Sequence, residues 1–189
     1  LKNDSIASYH AVVHLKDNKI IPLATSDFPN TELGDEGNAP YALINTTLPH
    51  ELESQWTGRR DNDYKLVSTA TGETLVSLTK VPRLRLSPEA KFAYGYNRVD
   101  STWTSYSLPD GTYKDLTKGK LFYDETNDSP NFPSAYGAAG WTANDEHLIL
   151  YDRYDIWKFD PKTGESTKLT SGRESKTVYR YVSLDDELR

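Results

Sequence analysis

The 189 residues carry 28 acidic and 22 basic side chains, a net charge of −6 with the two signs interspersed, so there is no basic footprint for nucleic acid. Cysteine is absent, which excludes disulfides and thiolate metal sites, and no apolar run approaches the roughly 20 residues that a membrane-spanning helix needs. The hydrophobic share is only 36%, but 13 Tyr, 5 Phe and 4 Trp argue for a packed β-rich chain over a disordered one.

Taken in order, Ala11 to Leu15 and Lys19 to Leu23 read as strands flanking the turn Lys16-Asp17-Asn18. Residues 24 to 40 are rich in Pro, Asp, Asn and Gly and read as a long surface loop. Tyr41 to Asn45 is a short strand, and Asn45 to Asn62 is a polar stretch. Asp63 to Ser68 and Thr74 to Leu78 are strands around a turn at Thr69 to Glu73. Leu86 to Lys91 is a turn leading into the strand Phe92 to Tyr96. Thr102 to Leu108 alternates as a strand does, Pro109-Asp110-Gly111 turns, and Tyr113 to Leu116 returns. A loop-like connection over residues 118 to 140 precedes the best-defined unit. There, His147 to Tyr151 and Tyr154 to Phe159 are strands, Asp160 to Gly164 is a turn, and Glu165 to Thr170 is the return strand. Thr177 to Val182 is expected to open a further unit. No stretch of helical length combines apolar periodicity with a cap and a stop, so the predicted class is all-β.

The turn glycines expose a repeat. Gly72, Gly111 and Gly164 stand 39 and 53 residues apart, and each is preceded by eight residues by a large side chain: Tyr64, Trp103 or Ile156. Five residues before each stands Val67, Tyr106 or Phe159. Repeats of about 40 to 50 residues with short strands point to β-propeller blades of four antiparallel strands. The competing reading, a β-sandwich, gives no reason for the turn and its flanks to recur. The blades are expected near residues 10–80, 81–120 and 140–172, with a further one starting over 177–189, so that residues 1–189 form one domain of a partial propeller. The chain starts at Leu1 and contains no Met, and the expectation is an excerpt of a longer protein. Open blade edges and faces should favour self-association.

The succession DYKLVSTATGETLVSLTK, LSPEAKFAYGY, TSYSLPDGTYKDLTKG and AYGAAGWTANDEHLILYDRYDIWKFDPKTGESTKLTSG resembles the β-propeller of bacterial proteins in the prolyl oligopeptidase family of serine peptidases. The most particular part runs from Tyr136-Gly137 to Trp157, a YG-x-x-GWT segment followed by YDRYDIW. The resemblance implies a propeller that sits over a C-terminal α/β-hydrolase domain and restricts its active site to peptides. It also implies a periplasmic or cell-surface location. The family's catalytic residues have no counterpart here, because the nucleophile elbow G-x-S-x-G is absent from this chain. No catalytic, cofactor-binding or metal-binding residue is therefore expected. The alternative is a free-standing propeller-like module that binds protein or glycan.

Candidate binding residues come from two stretches. Trp56, Arg59 and Arg60 combine residue types common in binding hot spots, although Trp56 could equally pack into the first blade. Tyr136 and Arg153 belong to the motif that carries the resemblance. His10 and His14, four apart, would lie roughly 13 Å from each other on a strand, too far to share a metal. The acidic loop Asp124, Glu125, Asn127 and Asp128 lacks calcium-loop spacing and reads as solvated.

Overall fold

The computed structural model describes residues 7–182 and Leu184. Short runs of branched and aromatic residues, punctuated by turns, form antiparallel strands in succession. The first two, β1 (Ala11–His14) and β2 (Lys19–Pro22), make a two-stranded sheet. A four-stranded sheet follows, in the order β3 (Asn30–Leu33), β4 (Tyr41–Thr46), β5 (Asn62–Ser68) and β6 (Thr74–Val81). A short helix, α1 (Glu51–Thr57), lies between β4 and β5. The second four-stranded sheet holds β7 (Leu84–Leu86), β8 (Phe92–Asn97), β9 (Thr102–Ser107) and β10 (Thr112–Asp115). The third holds β11 (Ala138–Trp141), β12 (Leu148–Tyr151), β13 (Ile156–Phe159) and β14 (Ser166–Lys168). In all three the strands neighbour one another in sequence order, the meander of a propeller blade. The chain is all-β and propeller-like.

Two compact units divide the chain, one of residues up to Gly95 with Ser107–Thr112, the other of Tyr96–Tyr106 with the residues from Tyr113 onward. The strands of the second sheet are shared between them. In the first unit Ile21 and Leu23 pack with Ala42, Ile44 and Val67, so the two-stranded sheet covers one face of the first four-stranded sheet. Tyr64 is buried, and its hydroxyl accepts the Leu84 N–H at 2.8 Å. Glu32 on β3 accepts the Leu86 N–H at 2.7 Å, a second tie to β7. In the second unit the core is aromatic. Phe122 meets Phe159 edge-on at 5.3 Å and Trp157 at 5.7 Å, while Tyr96 and Trp103 lie 5.6 Å apart. Leu148, Leu150 and Phe159 are fully buried.

The three repeat glycines have the left-handed backbone that the turn needs, with φ of 78°, 72° and 77°. Their amides donate to the carbonyls of Ser68, Ser107 and Asp160 at 2.8, 2.8 and 2.9 Å, one geometry used three times.

Several expectations are corrected. The stretch 24–40 is not all loop: β3 lies within it, its polar NTEL sequence carrying no apolar alternation. The strands β7 and β11 also escape the sequence reading, one being three residues long and the other built of AAGW. The expectation of no helix fails at α1, which runs for seven residues and ends at Gly58 with φ 68°. It is too short for periodicity to show. Thr177 to Val182, expected to open a further blade, forms no strand. It crosses the β12–β13 turn instead, with the Tyr179 N–H donating to the Tyr154 carbonyl at 2.7 Å. The rest of 177–189, apart from Leu184, lies outside the described residues.

Candidate functional site

The five candidate residues fall in two places, one in each unit. In the first unit Trp56 stands on α1 and is 89% exposed, so it does not pack into the first sheet. Leu52 and Leu48, four and eight residues earlier, are also exposed and extend the same stripe along the helix and the 3₁₀ turn before it. Arg59 pairs with Asp61 at 3.3 Å. Arg60 is exposed and lines a shallow pocket with Thr47, His50, Glu51, Ser54 and Asp61. Beside it, the His50 Nε2 lies 2.7 Å from the Asp63 carboxylate, which also accepts the Lys80 N–H at 2.9 Å. Burial works against the charge on Asp63, but those two donors hold its carboxyl below the usual range.

In the second unit Tyr136 and Arg153 border a polar knot. Asp152 opens the turn between β12 and β13. One of its oxygens accepts the amides of Tyr154 and Asp155 at 2.7 and 2.6 Å, the side-chain turn that Asp favours. The other accepts the Trp157 indole N–H at 3.1 Å and lies 3.5 Å from Arg173. Arg173 also makes a two-pronged bond to Glu125, at 3.1 and 2.7 Å, and stacks over the Tyr154 ring at 5.3 Å. The Glu125 carboxylate above all raises the already high pKa of Arg173. The Glu125 N–H donates to the Tyr136 hydroxyl at 2.9 Å, so Tyr136 helps to hold the acidic loop. Arg153 is half-buried, with its guanidinium 5.3 Å from the centre of the Tyr154 ring. Asp124 is held below the usual carboxylate range by the Thr126 hydroxyl and amide, and Arg153 adds to the effect.

Asp155 is fully buried at the base of the knot. Burial alone would raise its pKa. The Gly172 N–H, Lys168 at 2.9 Å and the Thr170 hydroxyl at 2.7 Å outweigh that and hold the carboxyl at about 2. Asp155 therefore stays ionised near neutral pH. Among the described residues no group of three or more His, Cys, Asp or Glu side chains could hold a metal, and none of the helices is long and apolar enough to cross a membrane. His14 hydrogen-bonds through Nε2 to the Thr69 carbonyl at 2.9 Å.

Sequence reasoning missed Glu125 and Arg173 as partners, because 48 residues separate them and each belongs to a polar loop. The two turn carboxylates also reach beyond their turn, Asp152 to Arg173 and Asp155 to Lys168. The D-x-x-D spacing on a strand-to-strand turn was the available signal.

No family model matches the chain, and no curated protein matches it. Among solved structures, the β-propeller domain of Cps50 (Swd1) from Myceliophteria thermophila is similar, at 14% identity and a TM-score of 0.39 over 79% of this chain and 47% of that one. The chain thus spans about half of that domain. The propeller-like description rests on the sheets themselves.

Proposed function

We propose that this chain is part of the propeller of a prolyl oligopeptidase-like serine peptidase, where it restricts access to a hydrolase domain and performs no chemistry of its own. The observation that carries the reading is the segment Tyr136 to Trp157. It is the stretch of greatest resemblance to that family, and its Tyr136, Asp152 and Trp157 side chains all enter the charged knot. A gate has to be stiff, and a network in which Asp152, Asp155 and Glu125 tie a turn to two loops through hydrogen bonds and ion pairs is a means of stiffness. Its partners in this reading are the α/β-hydrolase domain and a peptide substrate. The test is to offer the full-length protein a peptide and the same peptide embedded in a folded domain. Cleavage of the free peptide alone supports gating; equal cleavage of both refutes it.

The exposed stripe of Leu48, Leu52 and Trp56, with Arg59 and Arg60 beyond it, favours a second reading, a propeller-like module that binds a protein. That reading predicts a ligand whose binding is lost in Trp56→Ala while folding is kept. Retained binding in this variant counts against it.

A further inference from the structure

The sheet β1–β2 has two strands where each of the other sheets has four. Its position nevertheless follows a rule that repeats along the chain. Each outer hairpin turns at a left-handed glycine that backs onto a strand of the preceding sheet. A Cβ on Gly111, in the β9–β10 turn, would lie 2.9 Å from Val76 on β6, the last strand of the first four-stranded sheet. A Cβ on Gly164, in the β13–β14 turn, would lie 2.7 Å from Lys114 on β10, the last strand of the second. A Cβ on Gly72, in the β5–β6 turn, would lie 3.0 Å from Ile21, and Ile21 is on β2. Toward the first four-stranded sheet, then, β2 stands where the last strand of a blade stands.

We infer that β1 and β2 are the last two strands of a further blade, and that the edge of β1, unpaired among the described residues, receives that blade's first two strands as an antiparallel hairpin. Each of the other three sheets pairs its four strands in sequence order, so the strand pair that neighbours the third strand comes before it in sequence. The hairpin that completes this blade therefore comes from polypeptide that precedes the described residues.

The register prepares the edge. The Leu23 N–H donates to the His10 carbonyl at 3.0 Å. Alternation from that bond makes Val12–Ile21 and His14–Lys19 the bonded pairs and turns the amides of Ala11 and Val13 outward. Pro22, which has no N–H to give, stands opposite Ala11, where β2 needs none. The side chains divide in the same way. Val12 and Ile21 face the first four-stranded sheet, while their neighbours Val13 and Ile20 are 54% and 66% exposed. That leaves an apolar face of the kind that a stacked blade covers.

The inference rests on this chain being part of a longer propeller, but not on a peptidase. Its test looks upstream, whereas the hydrolase domain lies downstream, so the two fail separately. The native reading frame before Leu1 is expected to encode two strand-length segments. Hydrogen exchange at the Val13 amide is expected to be about 100-fold slower in that longer protein than in the 189-residue chain. A frame that starts at Leu1, or equal exchange in the two proteins, overturns the inference. Protection in the 189-residue chain that grows with concentration also overturns it, since a second copy would then fill the edge.

Discussion

Asp155 is the residue whose surroundings fix its behaviour most tightly. Its folded pKa of about 2 lies below the unfolded 3.8, so its ionised form is bound more strongly in the folded protein. The stabilisation is present above about pH 4 and is lost as pH falls toward 2, on the order of 2 kcal/mol. Urea midpoints should therefore fall over that window in the natural protein and fall less steeply in Asp155→Asn. At neutral pH Asp155→Asn should cost about 2 kcal/mol, because it leaves Lys168 without its carboxylate and weakens the bonds from Gly172 and Thr170. An unchanged midpoint at pH 7 would contradict this account of the knot. Gly111→Ala combines a left-handed φ of 72° with a contact of 2.9 Å to Val76, and a loss of about 2 kcal/mol is expected in thermal or urea unfolding.

The strands differ in how openly the sequence announces them. The hairpins β5–β6, β9–β10 and β13–β14 were legible because turn chemistry and aromatic alternation agreed at each of them. The first strands of the three four-stranded sheets, β3, β7 and β11, were not. They are short, and NTEL, LRL and AAGW carry no pattern of period two that is long enough to detect. Their pairing partners, not their own composition, make them strands. The helix α1 was hidden for the opposite reason: its apolar residues Leu52 and Trp56 face solvent, so no core-facing stripe exists to be read. The knot was half legible. The turn from Asp152 to Asp155 could be seen in sequence, but the loop residues Glu125 and Arg173 meet only through the fold. A matched pair of substitutions checks this account of α1. Trp56→Ala should change stability by less than about 0.5 kcal/mol, whereas Phe159→Ala, which empties a fully buried site against Phe122, should cost about 3–5 kcal/mol. Unfolding midpoints of the two variants decide it.

At the scale of the molecule, one blade pattern is repeated along the chain, with its turn glycines placed against the preceding sheet and the carboxylates of Asp152 and Asp155 bonded at the β12–β13 turn. A propeller completed by polypeptide on either side would cover apolar residues such as Val13 and Ile20 that are exposed among the described residues. Self-association is the corresponding expectation for the isolated chain, and a sizing run that shows a monomer at all concentrations would count against open blade faces. The most direct test of the central proposal is the native reading frame beyond Arg189. Continuation into further blades and then a strand, G-x-S-x-G and a helix is the predicted result. A stop codon close to Arg189 would contradict the peptidase reading and leave the exposed Trp56 stripe as the place to look for function.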